Sequence, residues 1–126
     1  MDHQVELYYS IDHEWIRVEG LDGTVGVTDF AQRELTDVVA VELPEEGTTV
    51  SQGEPFGAIE AIKAFSDLIS PVSGTVTAVN TELLDHPEWV NEDPYGHGWM
   101  IEIRMSNLAE IDTLLSSQYE GEIGEA

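Results

Sequence analysis

The chain has 126 residues and a formal net charge of −22, with 26 acidic residues set against one lysine and three arginines. That length suits one modest core and argues against two independent domains, while the charge excludes a surface for nucleic-acid phosphates or anionic lipid. Zero cysteines exclude a disulfide framework or a thiolate metal site, and the 41% of hydrophobic residues is too much apolar surface for a disordered acidic tail.

The acids are spread singly between apolar residues, which makes the charge a surface property. Molar salt shortens the Debye length to roughly 3 Å and screens the self-repulsion, so the composition points to a halophilic source with a salt-rich cytoplasm. No apolar run approaches the roughly 20 residues of a membrane span, and "MDHQVELYYS" lacks the basic and apolar regions of a signal peptide. A cytoplasmic protein is expected.

In chain order, "VELYYS", "EWIRVEG" and "TVGVTDF" read as short strands, with Asp12-His13-Glu14-Trp15 ahead of the first firm one and Trp15 in the core. Asp29 is placed to cap a helix over "FAQREL", with Gln32 completing a capping box. "DVVAVELPEEG", "TTVSQGEPFGAIEAIKAF" and "DLISPVSGTVTAV" supply further strands, and "TELLDHPEWV" one or two helical turns broken at Pro87. Pro94-Tyr95-Gly96 and Gly98-Trp99 read as turn and core before the strand "GWMIEIRM". From Ser106 onward Leu108, Ile111, Leu114 and Leu115 form a helical stripe. The expectation is a single domain over 1–126, with its core at about 5–105 and a C-terminal helical segment at about 106–120.

The chain half-repeats itself. Gly23-Thr24-Val25 is echoed by Gly74-Thr75-Val76, and Val50 with Pro55-Phe56-Gly57 by Val90 with Pro94-Tyr95-Gly96. Two β halves related by a pseudo-twofold axis would produce this pattern, and so would common turn chemistry.

The only lysine, Lys63, sits inside "GAIEAIKAFSDLISPVSG". In an extended segment Ile59 and Ala61 share one face and Glu60 and Ile62 the other; a bend at Ile62-Lys63 would put the amine at a hairpin tip. Gly57 and Gly74 fit positions needing positive φ or close strand approach. A Schiff-base role needs a desolvated pocket, and a phosphate role needs a Gly-rich loop before a helix; neither pattern is present. Covalent attachment of a cofactor needs an exposed amine, a defined turn and no competing amine nearby, and these residues offer all three. An ordinary solvated lysine remains the plain alternative. His3, His13, His86 and His97 are scattered without helical metal-ligand spacing, so no metal is expected.

"GAIEAIKAFSDLISPVSGTV" resembles the lipoyl-attachment hairpin of the glycine cleavage system H protein family, in which Glu-x-x-Lys-Ala is followed by Ser-Asp and Ser-Pro-x-Ser-Gly. The likeness extends in order to "HEWIRVEG", "VGVTDFAQREL", "DVVAVELPEEGTTV" and "VNEDPYGHGWMIEI", almost the whole chain. It implies a mainly β flattened barrel-sandwich hybrid of the lipoyl/biotinyl type, with short edge helices. It also implies a monomeric, non-catalytic carrier with lipoate on Lys63. Its partners would be the glycine decarboxylase (P protein), the aminomethyltransferase (T protein), the dihydrolipoyl dehydrogenase (L protein) and a lipoate ligase or lipoyltransferase. Glu60 and Asp67 would flank the lysine for recognition by the attaching enzyme. The family's Ser-His-Glu-Trp pattern implies an arm cleft at Asp12 and Glu14, with Glu14 a partner for an ammonium group; Asp12 stands where the family has serine. Phe30 and Glu34 depart from the family's histidine-bearing helix. Biotin carrier domains share the hairpin lysine but usually place methionine on both sides of it, where this chain has Ile62 and Ala64. Lipoyl domains of 2-oxo acid dehydrogenase acyltransferases are shorter and linker-joined, and a lipoate-relay protein is a further alternative.

Overall fold

The computed structural model describes residues 6–115. Among the described residues nine strands make two sheets: β1 (Glu6–Tyr9), β2 (Glu14–Glu19), β3 (Asp22–Val27), β4 (Val38–Glu42), β5 (Thr49–Val50), β6 (Pro55–Ala61), β7 (Phe65–Ile69), β8 (Gly74–Val79) and β9 (Ile101–Met105). One sheet has the order β1-β2-β3-β9-β8-β5 and the other β4-β6-β7, with every pairing antiparallel. The mainly β expectation holds, with two sheets that do not close into a barrel.

The alternation of apolar and polar residues explains the layering. Ile16, Val25, Ile101 and Ile103 from the larger sheet meet Val41, Ile59 and Leu68 from the smaller in one buried cluster. Each such side chain removed from water contributes about 1.5–3 kcal/mol. Trp15 is fully buried in a second cluster with Tyr9, against which Tyr95 and Trp99 pack. Gly57 and Gly74 are required by close approach: a Cβ at either would lie 2.2 Å from a backbone oxygen, that of Glu42 or Arg104.

Two local expectations shift. The cap of α1 (Asp29–Leu35) is Thr28, whose hydroxyl accepts from Ala31 N, while the Asp29 carboxylate takes the Gln32 amide. A threonine whose backbone is still extended can aim its oxygen into the first turn, and Asp29 is already inside it. The expected C-terminal helical segment takes, within the described residues, the form of a 3-10 turn at Leu108–Thr113. Ile111 and Leu114 pack on the core but Leu108 stays exposed, and Leu115 bridges to Tyr9. A Glu110 carboxylate bonded to Ser73 N and Oγ ties this turn to the β7–β8 loop and replaces helical continuation. Residues 116–120 of the expected segment lie outside the described residues.

The Gly-Thr-Val echo relates β3 and β8, which flank β9 on either side. The second echo relates unlike elements: Val50 and Pro55–Gly57 lie in strands, whereas Val90 lies in α2 (Trp89–Glu92) and Pro94–Gly96 in a turn. "TELLDHPEWV" gives a 3-10 turn at Thr81–Leu84 and then α2, separated at Pro87 as expected.

Candidate functional site

The β6–β7 hairpin is built as its residues dictate. Ile59 and Ala61 point into the core and Glu60 faces out, and the strands end at a short turn through Ile62, Lys63 and Ala64, closed by Ala61 N donating to Ala64 O at 2.8 Å. Lys63 is exposed at that tip. Its isolation is chemical as well as positional. Arg17 donates to Tyr95 O at 2.7 Å and lies over the Trp15 ring, Arg33 pairs with Asp29, and Arg104 Nε donates to Asp22 at 3.0 Å. Among the described residues Lys63 is the one cation of the four without a hydrogen-bond or ion-pair partner.

The turn is supported from outside the hairpin. Ile62 N donates to Asp37 O at 3.0 Å, which joins the tip to the entry of β4. That entry is fixed in turn by Asn91 of α2, whose Oδ1 accepts from Val38 N and whose Nδ2 donates to Thr36 O and to Gln32 Oε1. Thr36 sits at φ 62°, a strained value for a β-branched residue, held there by these bonds. Sequence reading missed Asn91 and Asp37, because their link to Lys63 runs through backbone atoms of three separate elements.

Glu60 and Asp67 are both exposed, Glu60 opposite Phe65 and Asp67 opposite Ala58, so they share the outer face of the smaller sheet. Asp12 and Glu14 lie at the other end of β7. Glu14 is 2% exposed; its Oε1 accepts from Ser10 Oγ at 3.0 Å and its Oε2 from Ile69 N at 3.0 Å. One carboxyl thus bonds the start of the larger sheet's β2 to the free edge of the smaller sheet's β7. Burial pushes its pKa up to about 8; the two hydrogen bonds pull the other way, and Asp12 adds to the rise.

Beside it opens a cavity of about 230 Å³, lined by Ile11, Asp12, Gln52, Ser70, Pro71 and Leu114 among others. Asp12 is in that lining; Glu14 is not, and its bonded partners Ser10 and Ile69 each precede a lining residue. Ser10 was missed in sequence. Its hydroxyl also accepts from Asp12 N and Glu14 N at 3.2 Å, organising the turn in which His13 adopts φ 70°. The only local signal was a serine four residues before a glutamate. Phe30 packs its ring 4.6 Å from that of His13.

Four strand steps of about 3.3 Å separate Phe65 from Ile69, so the lysine tip and the Glu14 end stand roughly 13 Å apart along β7. Fold and site together define a class: a small two-sheet β scaffold that displays one unpaired amine on a hairpin tip, with a carboxyl-flanked cleft at the hairpin's foot.

The comparisons narrow that class. A model of the glycine cleavage H-protein family matches residues 7–125. The glycine cleavage system H protein of Geobacillus kaustophilus is 52% identical over 126 residues, covering 99% of each chain. A probable glycine cleavage system H protein of Haloarcula marismortui is 57% identical over 111 residues, covering 88% of this chain and 87% of its own. A crystal structure of a glycine cleavage system H protein from Mycobacterium marinum superposes with a TM-score of 0.85 at 40% identity, covering 94% of this chain and 97% of that one. This chain belongs to the glycine cleavage H-protein family and is a carrier component of the glycine cleavage system.

Proposed function

We propose that Lys63 carries lipoate in amide linkage and that the protein, without turnover of its own, serves the P, T and L proteins in succession. The observation that carries this reading is the partnerless amine: in a chain with 26 acids, the sole lysine is exposed on a braced turn and bonded to none of the described ones. The residues fit the group, because acylation consumes an amine that no structural contact requires, and the chain has no thiol to compete for a disulfide. Bound there, lipoate would supply a disulfide able to take up electrons and a one-carbon amine fragment together.

The chain's own residues supply position and shelter. The Asp37 and Asn91 bonds hold the turn stiff, so the tether swings from a fixed base and each partner is found by a local search. Asp67, midway along β7, and Asp12, in the cleft, mark a path of negative charge from the tip to the foot of the hairpin. At the end of that path burial raises the pKa of Glu14 to about 8, and a cationic amine brought beside it would favour its ionised form. Glu60 and Asp67 flank the lysine for the attaching enzyme. As a single-domain monomer the protein would need no partner copy to present this arm. We assign it to a salt-rich cytoplasm on the strength of its −22 charge.

Intact mass spectrometry of protein from its native host tests the proposal. A single lipoyl increment localised to Lys63 supports it; a biotinyl increment or an unmodified chain overturns it.

A further inference from the structure

Seven large hydrophobic side chains are exposed among the described residues, and three of them, Val39, Ile62 and Phe65, belong to one end of the smaller sheet. Ile62 and Phe65 bracket Lys63 and its neighbour Ala64 in the turn and are 65% and 63% exposed. Val39 is brought to the same end by the bulge between Val38 and Ala40, where β4 meets the last residue of β6, Ala61. Elsewhere on this surface polar residues are plentiful, so apolar side chains gathered around the reactive position need an explanation, and contact with a partner is the usual one. Acids border the group: Asp37 at the entry of β4, Glu60 opposite Phe65, and Glu42 and Asp67 both opposite Ala58 on the same outer face.

We infer that Val39, Ile62 and Phe65 form an apolar collar that docks onto the enzyme attaching the acyl group to Lys63, against a mouth with apolar walls and a basic rim. This rests on the reading of Lys63 as a lipoate acceptor. The occupant follows from reach. Before acylation Nζ stands one lysine side chain from the turn backbone, so any catalyst acting on it must touch the residues beside the turn. After acylation the reactive end lies farther out by the length of the acyl chain, and later enzymes can engage it without pressing on the collar. In the attachment step the Nζ lone pair attacks the carbonyl carbon of an activated acyl donor such as an acyl-adenylate. The amide C–N bond forms, the bond to the nucleotide phosphate breaks with its electron pair leaving on AMP, and the amine proton passes to solvent. The acids beyond the collar face a basic rim and speed encounter; the apolar contact gives the docked complex its lifetime.

The test compares the full unmodified chain with the Ile62→Ser/Phe65→Ser variant as substrates for a lipoate ligase supplied with lipoate and ATP, followed by intact mass. Wild type should gain one lipoyl group on Lys63, and the variant should show kcat/KM lower by at least about tenfold with an unchanged melting temperature. Leu84→Ser, which removes an exposed apolar side chain beside Leu43 and Pro44, beyond the end of β4 far from the tip, should be acylated at the wild-type rate. Once loaded to completion with excess ligase, the double variant should be reduced by dihydrolipoyl dehydrogenase as fast as wild type. Equal acylation of wild type and variant overturns the collar alone. An equal slowing of the dehydrogenase step overturns its assignment to the attaching enzyme. A wild-type chain that accepts no lipoate overturns the reading of Lys63 and the collar with it.

Discussion

The two ends of β7 are opposite solutions to placing a charged side chain. At the tip, Lys63 is exposed with no partner among the described residues, on a turn held by backbone bonds from Ala61 N to Ala64 O and from Ile62 N to Asp37 O. At the foot, Glu14 is buried, with both carboxyl oxygens bonded and the pKa raised to about 8. The amine is available because structure does not need it. The carboxyl is withheld because its two oxygens are taken by Ser10 Oγ and Ile69 N, which join the start of β2 to the edge of β7. The lesson is that each end is fixed by hydrogen bonds from neighbouring elements, the tip through Asp37 and Asn91 and the foot through Ser10 and Ile69.

The contrast can be broken most completely at the tip. Lys63→Arg keeps a positive charge but offers no acylatable amine, so lipoyl incorporation and glycine-dependent carbon dioxide exchange should fall to background while the circular dichroism spectrum and melting temperature stay unchanged. A variant that retains exchange would remove Lys63 from the mechanism.

Next in size is the brace behind the tip. Asn91→Ala removes three hydrogen bonds at the α1–β4 junction, one of them to a backbone N–H, and should cost about 2 kcal/mol in urea unfolding. Amide exchange at Ile62 should quicken in the same variant, since the Asp37 carbonyl it bonds loses its support.

Glu14→Gln sharpens the other end. The folded-state pKa of Glu14 is raised, so its proton is bound more tightly in the folded than in the unfolded chain. The stability this contributes is fully present below the ordinary glutamate value of 4.5 and is lost as pH rises through about 8. Thermal melts across that window should show wild type losing stability relative to Glu14→Gln; parallel curves would mean the carboxyl is ionised throughout. The smallest effect is expected at Thr36, where glycine relieves the strain at φ 62° and should stabilise the chain by about 1 kcal/mol in the same urea assay.

What the residues could show in one dimension was local. The hairpin with its bend at Ile62-Lys63, the break at Pro87 and the two close-approach glycines were all legible, since turn chemistry and alternation act between near neighbours. The cap at Thr28 was misplaced by one residue, and the apolar spacing of the C-terminal stripe showed a helical segment without its 3-10 form or the bond from Ser73 to Glu110. Folding alone decided that Ser10, Glu14 and Ile69 would share one buried carboxyl, and that Asn91 would reach Thr36 and Val38. Glu14 lies 55 residues from Ile69, and Asn91 lies 53 and 55 residues from Val38 and Thr36, so these bonds exist only once distant elements have packed and excluded the water that would otherwise satisfy them. By itself the chain of letters named the amine that is offered; only packing showed which carboxyl is held back, and why.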